Sequence, residues 1–225
     1  MSTRFKSMRS AFREILLIFI GITLSLLFND WYNDFNEKKI EARLLAEIKS
    51  NLEQDVAIMK ICDALSRETI RASMQAVQFL RSDASLTDSV NRSFGLLPSV
   101  GLLTFNKSGY ESLKSLGIHL LRNDSIRILL TRYAESQHVL SFRVQLIINH
   151  NMTNLYPTIM TEFEGYKIRN LNVPLNPARL KENQFFKGAI DRSVQLHDLL
   201  LRDFQQPLKD CETMIRLIDG ELAAR

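Results

Sequence analysis

Proline and glycine are scarce, 5 and 8 in 225 residues, and that scarcity removes the frequent tight turns that an all-β sandwich or barrel requires. Leu, Ile, Arg, Glu and Gln are abundant instead, which favours long helices. The two cysteines, Cys62 and Cys211, stand far apart and form no C-x-x-C, so zinc-ribbon and thioredoxin-type sites fail at the first step. They read as two small buried residues on helical faces or, in an oxidising compartment, as one disulfide. A surface of one charge is also missing. The formal net charge is +4, of which residues 1–28 hold +3 through Arg4, Lys6, Arg9 and Arg13 against Glu14. Over the remainder acids and bases interleave, which points away from nucleic acid as a partner.

Long apolar runs are limited to one. Ile15 to Phe28 is strictly uncharged and, as a helix, spans about 21 Å, short of a hydrocarbon core of about 30 Å. Extended over residues 11–32 it reaches about 33 Å, with Arg13 snorkelling at one interface and Trp31 and Tyr32 at the other. The residues that follow, Asn29 to Asn33, offer no small-residue cleavage site, so the segment reads as a retained transmembrane helix rather than a signal peptide. A buried core helix of a soluble protein is the alternative. Gly21 and Ser25 lie one turn apart, a small-xxx-small pair that lets two such helices approach, although small residues are common in membrane helices for other reasons. Four Lys/Arg precede the run and Asp30, Asp34 and Glu37 follow it, which places a tail of residues 1–10 in the cytoplasm and residues 33–225 on the far side. Lys38, Lys39 and Arg43 weaken that bias.

No Pro or Gly occurs between Asn29 and Gly95, and Ile40, Leu44, Ile48, Leu52, Val56 and Met59 recur every three or four residues. The membrane helix is therefore expected to continue as an amphipathic helix, with Glu37, Glu41, Glu47 and Glu53 on its solvated face. A second helix is read from about Asp63 to Arg81, with Leu65, Ile70, Met74, Val77 and Leu80 inward. Ser82 to Asn106 is the least regular stretch, with a short helix near Thr87 to Ser93, and is expected to be exposed and to carry a partner contact. Ser108 to Leu116 reads as a short helix stopped by a left-handed, Schellman-type turn at Gly117, packed on the helix that carries Leu129 and Tyr133. Asp124 reads as the cap of a long helix disturbed at Pro157, and Asn176-Pro177 opens the last, with Pro207 inside it. The sum is an all-α chain: a transmembrane helix continuing into an antiparallel helical bundle.

The run from Arg13-Glu14-Ile15 through Gly21-Ile22, Asn29, Trp31, Leu44, Ile48, Leu52 and Asp55 resembles the N-terminal signature of a family of uncharacterised single-pass membrane proteins from Bacteroidota. Ser108 to Gly117 with Arg127 and Tyr133, and Pro177 with Phe185 and Phe186, are similar to later segments of that family; Asp30 before Trp31 falls at a variable position. The resemblance implies residence in a bacterial inner membrane and a helical domain, and brings no activity with it.

Chemistry-bearing motifs are few. Glu135 and His138 form one E-x-x-H pair, half of what a di-metal carboxylate bundle needs, and His119, His150 and His197 each lack a Glu three residues earlier. The pair reads as surface neighbours on one helical turn, with no metal, cofactor or catalytic residue assigned. No G-x-S-x-G, Gly-rich phosphate loop or H-E-x-x-H is present. Expected is a non-enzymatic, membrane-anchored module for binding, sensing or assembly, acting through the bilayer and a protein partner or self-association. The rival is a structural, envelope-organising protein, and a helical-bundle enzyme comes last. A pocket with convergent polar groups favours the first, an exposed apolar patch without a pocket the second.

Overall fold

The structure, a computed structural model, describes residues 2–224, with side chains at Glu14 and from Leu16 onward. The side chain of Arg13, expected at one membrane interface, lies outside the described residues. The described residues are helical throughout, apart from loops and one isolated bridge between Phe163 and Pro174.

The dominant element is α1, Ser2–Leu80, 79 residues without interruption and about 120 Å long at 1.5 Å per residue. The break expected near Asp63 does not occur. Asp63 pairs with Arg67 one turn on, at 2.8 Å, and supports the helix where a boundary was read. From Leu16 the helix is long and apolar enough to cross a membrane, and none of that stretch is buried against protein. Gly21 has nothing within 4 Å of where a Cβ would sit. Ser25 is likewise exposed, as are Trp31 and Tyr32 beyond it. Trp31 stacks on Phe35 (6.1 Å between centroids) and meets Phe28 (5.7 Å), forming an aromatic ladder at that end of the stretch.

Beyond it, α1 is the spine of the bundle. α2 (Asp88–Leu96), α3 (Ser108–Leu116), α4 (Asp124–His150), α5 (Tyr156–Glu162), α6 (Pro177–Glu182) and α7 (Gln184–Ala223) pack around it. α7 runs antiparallel to α1, tied by Lys49 to Asp219 (2.5 Å) and by Lys60 to Glu212 (3.1 Å), while Arg81 pairs with Asp191 at the other end. α4 runs beside α7, tied by Arg132 to Asp210 (2.5 Å) and Arg143 to Asp203 (2.7 Å).

Local chemistry sets the helix ends. Asn123, not Asp124, caps α4, accepting from the amides of Ser125 and Ile126; Asp124 is the first helical residue. Asn176 accepts from Arg179 N–H ahead of Pro177, as the sequence predicts. Asn183 then caps a separate helix through Phe186 N–H, so the last helix is two, divided by a second good cap. Between α4 and α5 the chain widens into a π-turn over Asn151–Leu155, immediately before Pro157. Proline brings no N–H and crowds the carbonyl of the preceding turn, and the wider turn absorbs both.

Two apolar clusters fill the bundle. One, nearer the candidate membrane span, joins Leu44, Ile48, Leu52 and Met59 to Tyr133, Leu140, Leu200, Phe204 and Met214. The other joins Phe79, Leu80, Phe94, Leu155, Phe163 and Phe186 at the distal end. A buried polar layer separates them: Ser66, Thr69 and Ser73 of α1, Asn151 of the π-turn and Ser193 of α7. The inward face of α1 here is therefore small and polar. Met74, expected inward, is exposed, and Leu65 and Ile70 are only half-buried.

Candidate functional site

Asp55 lies on the inward face of α1, 1% exposed. Its carboxylate accepts from Tyr133 Oη (2.8 Å) and Gln137 Nε2 (3.4 Å) of α4, and from the backbone N–H of Asn106 (3.0 Å). Burial pushes the Asp55 carboxyl above the usual carboxylate range, and its three donors pull the other way. Burial likewise drives the Tyr133 hydroxyl up and the neighbouring Cys211 thiol to about 12. Cys211 and Cys62 are both free, so no disulfide forms in this structure. Beside Asp55 is a cavity of about 20 Å³ lined by Asn51, Asn106, Tyr110 and Gln137. That is room for one water molecule, not for a metabolite. It opens towards a shallow groove of about 220 Å³ between α3 and α4, lined by Lys107, Glu111, Lys114, Glu135 and His138. The exposed Glu135 and His138 belong to that rim.

Glu41, expected on the solvated face, is 2% exposed. It accepts from the backbone N–H of Arg122 at 2.8 Å, and Arg122 also pairs with Asp34, holding the start of α4 against α1.

α3 packs chiefly on α1 rather than on α4. A Cβ at Gly109 would stand 3.0 Å from Ile48 and 3.1 Å from Asn51. Leu113 is buried while Leu116 is 49% exposed, so only part of the expected face is covered. Gly117 does end the helix at positive φ, but with φ 113° and ψ 125° it lies outside the left-handed helical region. Its N–H bonds Leu113 O at 2.9 Å, an ordinary helical bond, and the half-exposed Ile118 opens a 3₁₀ turn instead of closing an apolar cap.

The irregular stretch from Ser82 to Asn106 is exposed only in part: Asp83 to Ser85 and Thr87 to Ser89 face solvent, whereas much of the segment from Val90 to Gly101 is buried. Asn91, Ser93 to Gly95, Leu97 to Ser99 and Gly101 are buried, because this segment lies across α1 and closes the distal core. Thr69 donates to Ser99 O (3.3 Å) and Asn151 to Pro98 O (3.1 Å), so its backbone is tied down from both sides.

A second exposed loop is Gly165 to Asn176. It is pinned over α2: Tyr166 Oη donates to Phe94 O (2.8 Å), Arg169 N–H to Gly95 O (2.7 Å) and Asn172 N–H to Asn91 O (3.0 Å). Asn172 exchanges further bonds with Lys167, and Leu175 N–H reaches Glu162 O at 2.8 Å. Arg169 has φ 61°, an uncommon conformation away from glycine that these bonds hold in place. The approach requires Gly95, where a Cβ would lie 2.0 Å from Asn170 O. With Asn172 and Pro174 turned inward, Leu171, Val173 and Leu175 alternate outward, and Val173 and Leu175 are 58% and 60% exposed. Ile168 of the same loop, Met160 of α5 and Phe185 of α7 are also exposed. These apolar side chains face solvent from a backbone that hydrogen bonds hold fixed. The sequence marks Gly165 to Asn176 only as a loop that ends at Asn176-Pro177. The apolar alternation in Leu171-Asn172-Val173-Pro174-Leu175 was the available sign.

No protein-family model, curated protein or solved structure matches the chain.

Proposed function

We propose that this is a non-enzymatic, membrane-anchored docking module of a bacterial inner membrane. In this reading the N-terminus is cytoplasmic and the helical domain periplasmic, and α1 carries the Gly165–Asn176 loop about 55–70 Å beyond Tyr32, judged from the α1 residues it packs beside. The observation that carries the reading is the loop itself: apolar side chains facing solvent from a backbone that hydrogen bonds hold still. Rigid presentation lowers the ordering cost of association, which is what a protein-binding surface needs. The charged residues on and beside the loop, Glu164, Lys167, Arg169, Glu182 and Lys187, carry both signs. Mixed charge fits a polar protein rim better than an anionic bilayer, which favours one sign. The partner is therefore proposed to be a protein, and the module an assembly subunit. The cavity beside Asp55 is too small to support a metabolite sensor, so a small-ligand reading rests on open surface grooves, the one between α3 and α4 and a wider one of about 600 Å³ lined by Met74, Arg81, Asp191 and Gln195.

Site-specific photo-crosslinking in native membranes separates the two. A probe replacing Val173 is expected to capture a discrete protein, and a probe replacing Lys114 in the groove is not. Capture from Lys114 alone would replace the docking reading with the groove.

A further inference from the structure

Past its apolar stretch α1 sorts its charges by side. Phe28, Tyr32, Phe35, Lys39 and Arg43 follow one another at spacings of four, three, four and four, which keeps them on one stripe of the helix. All five are exposed. At about 100° per residue, the midpoint of Lys39 and Arg43 lies roughly 170° round the helix from the centre of Asp30, Asp34, Glu37 and Glu41. The last three of those acids face the start of α4, where Arg122 pairs with Asp34 and lies 3.6 Å from Glu37 and 3.9 Å from Glu41. Lys38, between the two sides, pairs with Asp34 at 2.8 Å. Lys39 and Arg43 have no acidic partner among the described residues, and like charges one turn apart repel each other. An anion seated between them removes that repulsion. Beside Lys39 an open groove of about 540 Å³, lined also by Phe35, Lys38, Ala42 and Ala224, leaves room for one.

We propose that Lys39 and Arg43 hold the phosphate of an anionic phospholipid between them, with Tyr32 and Phe35 against its apolar part. The inference rests on α1 being the anchor. Height then selects the occupant. Lys39 and Arg43 stand about 10 and 17 Å beyond Tyr32 along the helix axis, and helical side chains lean back towards the N-terminus, here towards the bilayer. The headgroup layer is about 5–8 Å deep, so the Lys39 ammonium reaches into it and the Arg43 guanidinium reaches its outer edge. A second exposed set lies at the same height on another side of α1. The turn between α3 and α4 is fixed there because Glu41 accepts from Arg122 N–H at 2.8 Å, and it presents the half-exposed Leu116 and Ile118. A protein docked on the stripe covers one side of α1. A lipid surface normal to α1 meets both.

Trp31, the one tryptophan of the chain, stacks on Phe35 of the stripe and so reports on the lipids beside it. The test uses the full chain in phosphatidylcholine vesicles in which about one fifth of the lipid carries brominated acyl chains, either as phosphatidylglycerol or as phosphatidylcholine. Bromine quenches indole fluorescence on contact. Trp31 is expected to be quenched by both, with the anionic lipid favoured roughly five-fold in relative association, the contribution of about one cation at a lipid surface. Replacing both Lys39→Gln and Arg43→Gln is expected to bring that preference close to one. Replacing both Lys60→Gln and Arg67→Gln removes the same charge roughly 25–35 Å further along α1 and is expected to leave the preference intact. No preference in the wild type, or the same loss in both double variants, overturns the proposal and leaves the anchor standing. Quenching by neither lipid removes the anchor with it. Loss of the preference when inorganic phosphate is added at constant ionic strength assigns the pair to a free anion and overturns the lipid.

Discussion

The hydroxyl of Tyr133 donates to the carboxylate of Asp55 at 2.8 Å, and through that bond α4 is joined to α1 inside the larger apolar cluster. Asn106 and Gln137 complete the shell, so one carboxylate of α1 satisfies three donors, two from α4 and one from a loop. Tyr133→Phe is expected to cost about 1 kcal/mol, since two donors to Asp55 remain. Asp55→Leu strands all three donors and is expected to cost roughly 3 kcal/mol or more. Denaturant unfolding of the two variants decides it, and equal losses would show that Asp55 is not the hub.

His197 is fully buried, and neither ring nitrogen has a protein partner. Burial, reinforced by His150, holds its pKa at about 4 against 6.5 for an exposed imidazole. On acidification the unfolded chain takes up this proton first, so the contribution is intact above pH 6.5 and is lost as pH falls towards 4, by roughly 3 kcal/mol in all. His197→Leu is expected to raise the unfolding midpoint at pH 7 and to lose stability less steeply than wild type over that window. Parallel curves for the two proteins would argue against a buried neutral imidazole.

Gly95 lets the distal loop lie against α2. Gly95→Ala drives a Cβ into Asn170 O and is expected to cost on the order of 2 kcal/mol. Protease sensitivity should rise between Gly165 and Asn176 before it rises elsewhere, and crosslinking from Val173 should fall. A variant cleaved first at another site would show that the loop is not held through this contact.

Gly117 ends α3 at φ 113°, and a Cβ there would meet the His119 ring at 2.4 Å. Gly117→Val is therefore expected to cost on the order of 1 kcal/mol or more, read as a lower midpoint of thermal unfolding. An unchanged midpoint would mean that the turn accepts another conformation freely.

Orientation is open to thiol labelling, because the native cysteines are buried and stay silent. A cysteine replacing the exposed Arg92 should react with an impermeant maleimide while the inner membrane is intact. Reaction only after permeabilisation would place the domain in the cytoplasm.

The all-helical bundle was legible because scarce glycine and proline and a three-to-four-residue apolar period act locally and point the same way. Boundaries were less legible: Asp63 looked like a start and proved to be half of an intrahelical pair, and Asn123 and Asp124 are rival caps one residue apart. Tertiary burial of polar residues was hardest to see. Glu41, Ser66, Thr69, Ser73 and His197 face inward, and hydropathy counts each as surface. For Asp55 a trace did exist, since it continues the Ile48, Leu52, Met59 spacing at a place where an apolar residue would be ordinary. Gly165 to Asn176 is legible as a loop, but its outward apolar set and its seat on α2 are not. Pinning by Tyr166, Asn172 and Gly95 depends on residues far apart in sequence.

An uninterrupted α1 turns small rotations into large displacements. Over the roughly 70 Å between Tyr32 and Leu80, a tilt of about 5° at the bilayer moves the distal end by about 6 Å, more than the spacing between neighbouring β-strands. A kink or flexible joint near residue 33 would dissipate that motion locally. With none present in α1, the proposed anchoring would make bilayer thickness a mechanical input and the reach of the Gly165–Asn176 loop its readout.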